Sequence, residues 1–439
     1  VTVELAHPST EPEGSTSPKQ PAHPYWWFLT TTPGKLATIG IVLSMLGLAS
    51  AFATATTIDH RQQTLTTVLN HTEPLASAAG QLYTALSVAD AAAATAFIAQ
   101  AEPAPVRQRY EQAIIGAADA VTRSSSGLTD EHLMALLGRI NAELTVYTGL
   151  VEIARTNNRA GNPVGASYLA EASSLMQDTI LPDAQSLYDE TSARVDAETT
   201  ASTRVPAPVI LVIAVTVLFG AFAHRWLAAR TRRRVNPGLV AGGLAILVMV
   251  IWVGTALAIS TTSSRNAKNT SADSLKTLTN LSIVAQQARA EETLSLVRRG
   301  GEQAPKRTFY EHIDAMQHQL NQYLDNDNTI DKSALADADE LLDRWRHANY
   351  RINQYIAVGN YQAATQVAVG TGEGDSTPAF EKLDNALGQA IEESREQLRA
   401  EITAARRGLY GATVGGAVLS IAAAIAVALG LWPRLGEYR

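Results

Sequence analysis

The 439 residues contain no cysteine. That absence excludes thiol nucleophiles, disulfide staples and thiolate metal sites. The nine histidines are scattered and form no HExxH pair. His312 and His318, six apart, do not share a helical face. No Walker loop and no dinucleotide fingerprint occurs. Acidic residues are plentiful, but no two are marked by spacing as an acid–base pair. The expectation is a protein without catalytic residues, without a resident metal and without a cofactor. Nothing in the pattern calls for a nucleic-acid partner.

The 46% apolar content is concentrated in four runs, at 36–57, 207–227, 239–260 and 409–431. Each is about as long as a helix needs to be, at 1.5 Å per residue, to cross roughly 30 Å of hydrocarbon. Arg225 is the one charged side chain inside them. Asp, Glu and Lys are missing from the interiors, which argues against an ion-coupled carrier. Ala51 to Ala53 read like a cleavage signature, but about 35 residues precede the first run, so it reads as an anchor. Pro206 and Pro208 flank the second run, and Gly411 and Gly415 give the fourth a small-xxx-small spacing.

Charge sets the expected orientation. The loop between the second and third runs carries Arg225, Arg230, Arg232, Arg233 and Arg234 and no acid, so the positive-inside rule makes it cytoplasmic. Both termini then lie in the cytoplasm of a multi-pass plasma-membrane protein. Residues 1–35 form a polar, disordered tail, the second crossing occupies 205–227, the basic loop 228–238 and the C-terminus 432–439. Arg230, Arg232, Arg233 and Arg234 are candidates to bind a cytoplasmic partner or anionic lipids. The inner segments are too short for a kinase or cyclase, so any inward message has another protein as its reader.

Two outer segments remain, 58–204 and 261–408, with 17 acidic and 9 basic residues in the first and 21 and 17 in the second. AEPAPVRQRYE at 101–111 matches GEQAPKRTFYE at 301–311 in six of eleven positions without a gap. Together with the repeated order of crossing, outer segment and crossing, this indicates a tandem duplication. Apolar spacings of three and four, as in LLGRINAELTVYTGLVEIA, predict helices. Breaks at Pro103 and Pro105, at SSSGLTDE and at GNP divide the first segment into four helices, and similar breaks divide the second. The expected fold is an all-α membrane protein with four transmembrane helices and two tandem extracytoplasmic up-down four-helix bundles.

In that layout the repeated motif falls at the membrane-distal tips, with the Gly-Asn turns beside it. Arg107, Tyr110, Glu111, Gly161 and Asn162, and their counterparts Arg307, Tyr310, Glu311, Gly359 and Asn360, are the candidate partner-binding residues. Arg and Tyr three apart would share one helical face, and both residue types anchor interfaces. The sequence does not say which tip makes the contact. It also leaves open whether two copies form a homodimer and which way the helices move.

Over its full length the chain resembles the GlnX family of actinobacterial membrane proteins, in its four crossings, its twin helical outer segments and the run RTRRRVN between them. The resemblance implies a non-enzymatic signal transducer. Its partners would be an amino-acid-binding lipoprotein, GlnH, outside and a soluble serine/threonine kinase, PknG, inside, in control of nitrogen metabolism. It implies no catalytic residues. Alternatives are a chemoreceptor-like protein whose bundles bind a small ligand directly, through Arg107, Arg307, Arg155 or Arg351, and a structural organiser of an envelope complex.

The topology has a direct test. Tags at residues 10, 235 and 439 are expected to be protected from protease in intact cells and a tag at 125 to be cleaved; cleavage at 235 overturns the four-crossing arrangement.

Overall fold

A computed structural model describes residues 32–99, 104–126, 128, 130–204, 207–231, 237–297, 304–326 and 332–436. The described residues form helices and turns, with no strand among them. The first repeat holds α1 (Thr32–Thr67), α2 (Glu73–Ile98), α3 (Ala104–Ser125), α4 (Glu131–Arg159), α5 (Val164–Leu175), α6 (Leu181–Thr203) and α7 (Ala207–Thr231). The second holds α8 (Pro237–Asn266), α9 (Asp273–Val297), α10 (Ala304–Asp325), α11 (Ala338–Ala357), α12 (Tyr361–Val369), α13 (Ser376–Gly408) and α14 (Ala412–Gly436). The protein is an all-α membrane protein with two tandem four-helix bundles, and four of its helices are long and apolar enough to cross a membrane.

The chain divides into two compact units, one of Val1–Ala55, Ala207–Ile251 and Val414–Arg439, the other of Thr56–Pro206 and Trp252–Thr413. In the first unit Leu43 and Val427 are buried with Phe219 and Trp226 against them, while Phe52, Leu218 and Leu429 point outward, as suits a lipid-facing surface. Ser50 and Thr216 join hydroxyls at 2.8 Å. The small-residue seam is not the one the spacing of Gly411 and Gly415 suggested. Gly411 lies in the turn between α13 and α14 at φ +78°, outside any helix. Gly238 and Gly242 make the close approach instead: a Cβ on Gly238 would lie 2.2 Å from Gly430 Cα, and one on Gly242 2.8 Å from Val427 Cγ2.

The second unit holds both bundles. The first is built on Leu82, Leu86, Ile140, Leu169 and Met176, the second on Phe309, Met316, Leu342 and Leu383, with Trp345 edge-on to Phe309 at 5.5 Å. Irregularities recur at equivalent places. Between α1 and α2 the helix widens into a π-turn, Val68–Thr72; between α8 and α9 it does so at Ala267–Ala272. Pro74 explains the first, since a proline lacks the N–H that would continue the ladder. The Glu73 N–H bonds the Val68 carbonyl, so the Leu69 carbonyl loses its usual helical donor. The second π-turn has Ser274 where the first has Pro74, so proline is not its cause.

Two further features recur in both bundles. Thr72 donates to Glu198 at 2.8 Å, and Ser271 donates to Glu401 at 2.9 Å. The Gly-Asn turns are two copies of one helix-ending motif. Gly161 (φ +71°) and Gly359 (φ +75°) donate to Asn158 and Ile356, while Asn162 and Asn360 donate to Asn157 and Tyr355, each at 2.8 Å. Gly370–Asp375 separates α12 from α13, the gap expected from GTGEGDSTP; in the first repeat a π-turn, Met176–Ile180, stands in its place before Pro182.

Glycine requirements therefore differ by position. Gly359→Ala forces a left-handed backbone on a residue with a Cβ and is expected to lower stability by about 1 kcal/mol. Gly138→Ala, in the exposed interior of α4 with open space around it, is expected to raise stability by a similar amount. Melting of the two variants beside the parent checks the contrast.

Candidate functional site: the crevice between the bundles

The bundles meet along α2 and α9, the first helix of each. α2 brings small residues to this contact, Ala76 and Gly80 among them, and a Cβ on Gly80 would touch the Tyr188 ring at 3.4 Å and Thr279 at 3.7 Å. Gln287 on α9 donates to the Tyr83 hydroxyl at 3.0 Å. Because small side chains leave space where α3, α6 and α13 close around the pair, a crevice of about 680 Å³ remains. Its floor is apolar, with Val88, Val195, Leu275 and Ile391, and its walls bring charges of both signs. That combination is typical of a small-molecule site.

Ion pairs across the crevice tie the bundles together. Glu73, only 2% exposed, accepts from Arg395 Nε at 2.7 Å and is paired with Arg399 as well. Arg399 also donates to the Leu69 carbonyl at 3.4 Å, the group that Pro74 left without a helical partner. Arg109 pairs with Glu381 and reaches Asp384 at 3.7 Å. Burial raises the pKa of Asp384, opposed by Arg109 and by the hydrogen bond from Gln286. Such half-buried pairs cost much more to break than exposed ones, because the surviving partner keeps its desolvation penalty.

Each bundle also has a buried polar centre on its first helix. In the first, Asp90 accepts from Ser173 Oγ and Gln177 Nε2, both at 3.0 Å, and from the Tyr147 hydroxyl at 3.4 Å. In the second, Glu292 accepts from Trp345 Nε1 at 3.3 Å, Asn349 Nδ2 at 3.1 Å and Ser376 Oγ at 2.6 Å, and pairs with Arg289 at 2.5 Å. Arg289 in turn donates to Thr377 at 2.9 Å and lies over the Phe380 ring. Tyr147 and Trp345 are separated by the same 198 residues as Gly161 and Gly359. The two carboxylates are not at equivalent positions, since the counterpart of Asp90 at the 200-residue offset is Ala290; one bundle holds a lone carboxylate and the other an ion pair.

At the first tip the structure does not bring Arg107 and Tyr110 to one surface. Tyr110 is a core residue, 8% exposed, in line with Ala113, Ala117 and Ala120, and burial raises its pKa. Arg107 is exposed and paired with Glu111 at 2.8 Å. Tyrosine follows the apolar stripe of α3, whereas arginine at the start of the helix reaches solvent, so the two do not share a contact face. Tyr310 is half-buried edge-on to Phe309 at 5.4 Å, and Glu311 is exposed. Gly161, Asn162 and Gly359 serve the helix-ending motifs, and Asn360 caps α12 by accepting from the Ala363 N–H at 3.1 Å. Arg155 pairs with Glu152, and Arg351 with the Gly374 carbonyl and Asp375. The side chains of Arg307 and Arg230, and the whole of Arg232, Arg233 and Arg234, lie outside the described residues.

Reading the sequence missed Glu73, Arg109, Arg395 and Arg399, because no local motif links residues more than 270 positions apart. The one available signal was Glu-Pro inside an otherwise continuous helical pattern at 73–74.

Asp90 generates a pH prediction. Burial raises its pKa to about 6, and the three hydrogen bonds oppose the shift. A carboxyl whose folded pKa exceeds its unfolded value stabilises the fold fully below the unfolded pKa and loses that contribution as pH rises through about 6. The advantage of Asp90→Asn over the parent in melting temperature is therefore expected to grow from pH 4 to pH 7, by the equivalent of at most about 3 kcal/mol. A constant difference across that range refutes the assignment.

Residues 64–200, which span the first bundle, match the family model described as an actinobacterial sensor domain (Sensor_actino). A search of curated proteins found no match. A search of solved structures found none. Over those residues the chain is similar to a sensor domain of actinobacteria, and four of its helices are long and apolar enough to cross a membrane.

Proposed function

We propose that this chain is a non-enzymatic transmembrane signal transducer that passes the packing state of two extracytoplasmic bundles to the cytoplasm, with both termini inside. One observation carries the reading. Ala37–Ile98 and Val240–Val297 are each one helix from an apolar segment into a bundle, and their bundle portions, α2 and α9, are the helices that pack on one another. A change in that contact has a helical route along both, through the π-turn that each contains. The route out of the second bundle differs, since α13 and α14 are separated by the turn at Gly411.

The input in this proposal is an amino-acid-binding lipoprotein like GlnH, and the reader is a serine/threonine kinase like PknG, bound through Arg230, Arg232, Arg233 and Arg234 in competition with anionic lipids. The matched sensor domain supports a sensing role, and the two partners follow from the family resemblance alone. A second reading, direct binding of a small ligand, is favoured by the crevice. Amino-acid binding to the purified full-length protein without lipoprotein supports the second reading; binding that requires the lipoprotein supports the first.

The Gly359 turn offers the bulkier exposed surface, two tyrosines and a valine, where the Gly161 turn has Ile153 and Val164. Tyr350 (55% exposed), Val358 (77%) and Tyr361 (37%) cluster in sequence around the Gly359 turn. Apolar and aromatic side chains of this kind make interface anchors. Val358→Asp with Tyr361→Ala is expected to weaken lipoprotein co-isolation about tenfold or more, with melting unchanged. Neutralising Arg232, Arg233 and Arg234 is expected to reduce kinase co-isolation from correctly inserted protein. Undiminished co-isolation in both variants rejects the docking surfaces.

A further inference from the structure

The duplication lets each cross-bundle contact be compared with its counterpart. Glu73 and Asp273 both follow a π-turn, at Val68–Thr72 and at Ala267–Ala272. The matched hydrogen bonds of Thr72 with Glu198 and Ser271 with Glu401 align the last helices, α6 and α13, with an offset of 203 residues. On that offset Asp196 is the counterpart of Arg399, and Ser192 of Arg395. Arg61 donates to Thr261, its own counterpart 200 residues on, as groups beside an axis relating the repeats would.

The two sides of this axis are unlike. On one, the buried Glu73 of the first bundle is clasped by Arg395 and Arg399 of the second. On the other, Ser192 and Asp196 stand where the arginines are, Asp196 acts on the exposed Asp273 as a like charge, and Lys276 of the second bundle acts on the exposed Asp189 of the first as an opposite one. Burial first and Asp196 second raise the pKa of Asp273, while Lys268 and Lys276 oppose them. Both sides border the same crevice, which Glu73, Arg395, Asp196 and Lys276 all line. A buried, doubly paired carboxylate beside a satisfied carbonyl holds its side closed, whereas exposed charges of both signs, screened by water, hold the other side weakly.

We propose that the bundles are hinged asymmetrically: Glu73 with Arg395 and Arg399 is the fixed side, and the contact of α6 with the π-turn before Asp273 is the side that opens and closes the crevice. The arginines act at the hinge in a further way, since Arg399 also closes the backbone gap that Pro74 creates in the helix continuous with an apolar segment. Opening on one side alone converts occupancy of the crevice into rotation of α9 against α2. This mechanism deepens the transducer reading without depending on either partner.

The absence of cysteine permits a direct measurement on the full chain in lipid nanodiscs. Spin labels at His71→Cys and Ala400→Cys report the fixed side, and labels at Ala197→Cys and Asn269→Cys the moving side; all four positions are exposed. The expected result is one narrow distance population across the fixed side and a short and a long population across the moving side. Asp196→Arg, which copies the arginine of the fixed side, is expected to abolish the long population. Arg399→Gln is expected to broaden the fixed side, and it leaves Glu73 paired with Arg395 so that folding is retained. A single narrow population at the moving side, unchanged by Asp196→Arg, overturns the proposal, as does a fixed side unaffected by Arg399→Gln. No partner enters the measurement, so loss of lipoprotein or kinase co-isolation would remove the transducer reading and leave the hinge standing.

Discussion

The arrangement depends on one buried carboxylate. Glu73 sits at 2% exposure beside the contact of two bundles, and its charge is tolerated there because two guanidiniums from the far end of the chain surround it. Removing a charge of this kind from water costs several kcal/mol, which only close, hydrogen-bonded partners offset. The contact is consequently specific in register: sliding α13 along α2 by one turn, about 5.4 Å, would strand Glu73 and leave two arginines without their acid. Small residues on α2 bring the helices near enough for this pairing, and the same small residues leave the crevice beside it.

Proline and arginine act together at this point. Pro74 breaks the backbone ladder of a helix that would otherwise run unbroken from an apolar segment, and a π-turn absorbs the defect. The carbonyl so exposed is met by Arg399 of the other repeat. A local irregularity in one helix thereby becomes a contact between domains, and the helix cannot shift at its π-turn without disturbing the pairing. The second repeat keeps the π-turn without the proline and without the arginines. Divergence after duplication has thus preserved the backbone geometry while reversing the charge that faces it.

A similar divergence separates the polar centres inside the bundles. Asp90 is satisfied by neutral donors alone, so its charge is exposed to the full effect of burial. Glu292 is satisfied by an arginine as well as by Trp345, Asn349 and Ser376, and its partners gather where α12 gives way to α13. The first bundle has a centre that responds to protonation; the second has one that locks a helix break in place. Two similar scaffolds have become unlike in the polar groups they bury.

Much of this was legible in the sequence. Four apolar runs, the helical periodicity of the outer segments, the two Gly-Asn turns and the eleven-residue repeat determined an all-α membrane protein with duplicated bundles, because hydrophobic length, periodicity and turn chemistry are local properties. The sequence could not determine which side chains meet. Tyr110 and Arg107, three apart on one helix, turned out to be a core residue and a surface residue. Gly238 and Gly242, instead of Gly411 and Gly415, make the close helix contact. Glu73, Arg395 and Arg399 meet only when the second bundle has folded back against the first, and Asp196 faces Asp273 only because the repeats pack about an axis. Contacts of that kind depend on the path of the whole chain, so the tertiary structure alone decided them.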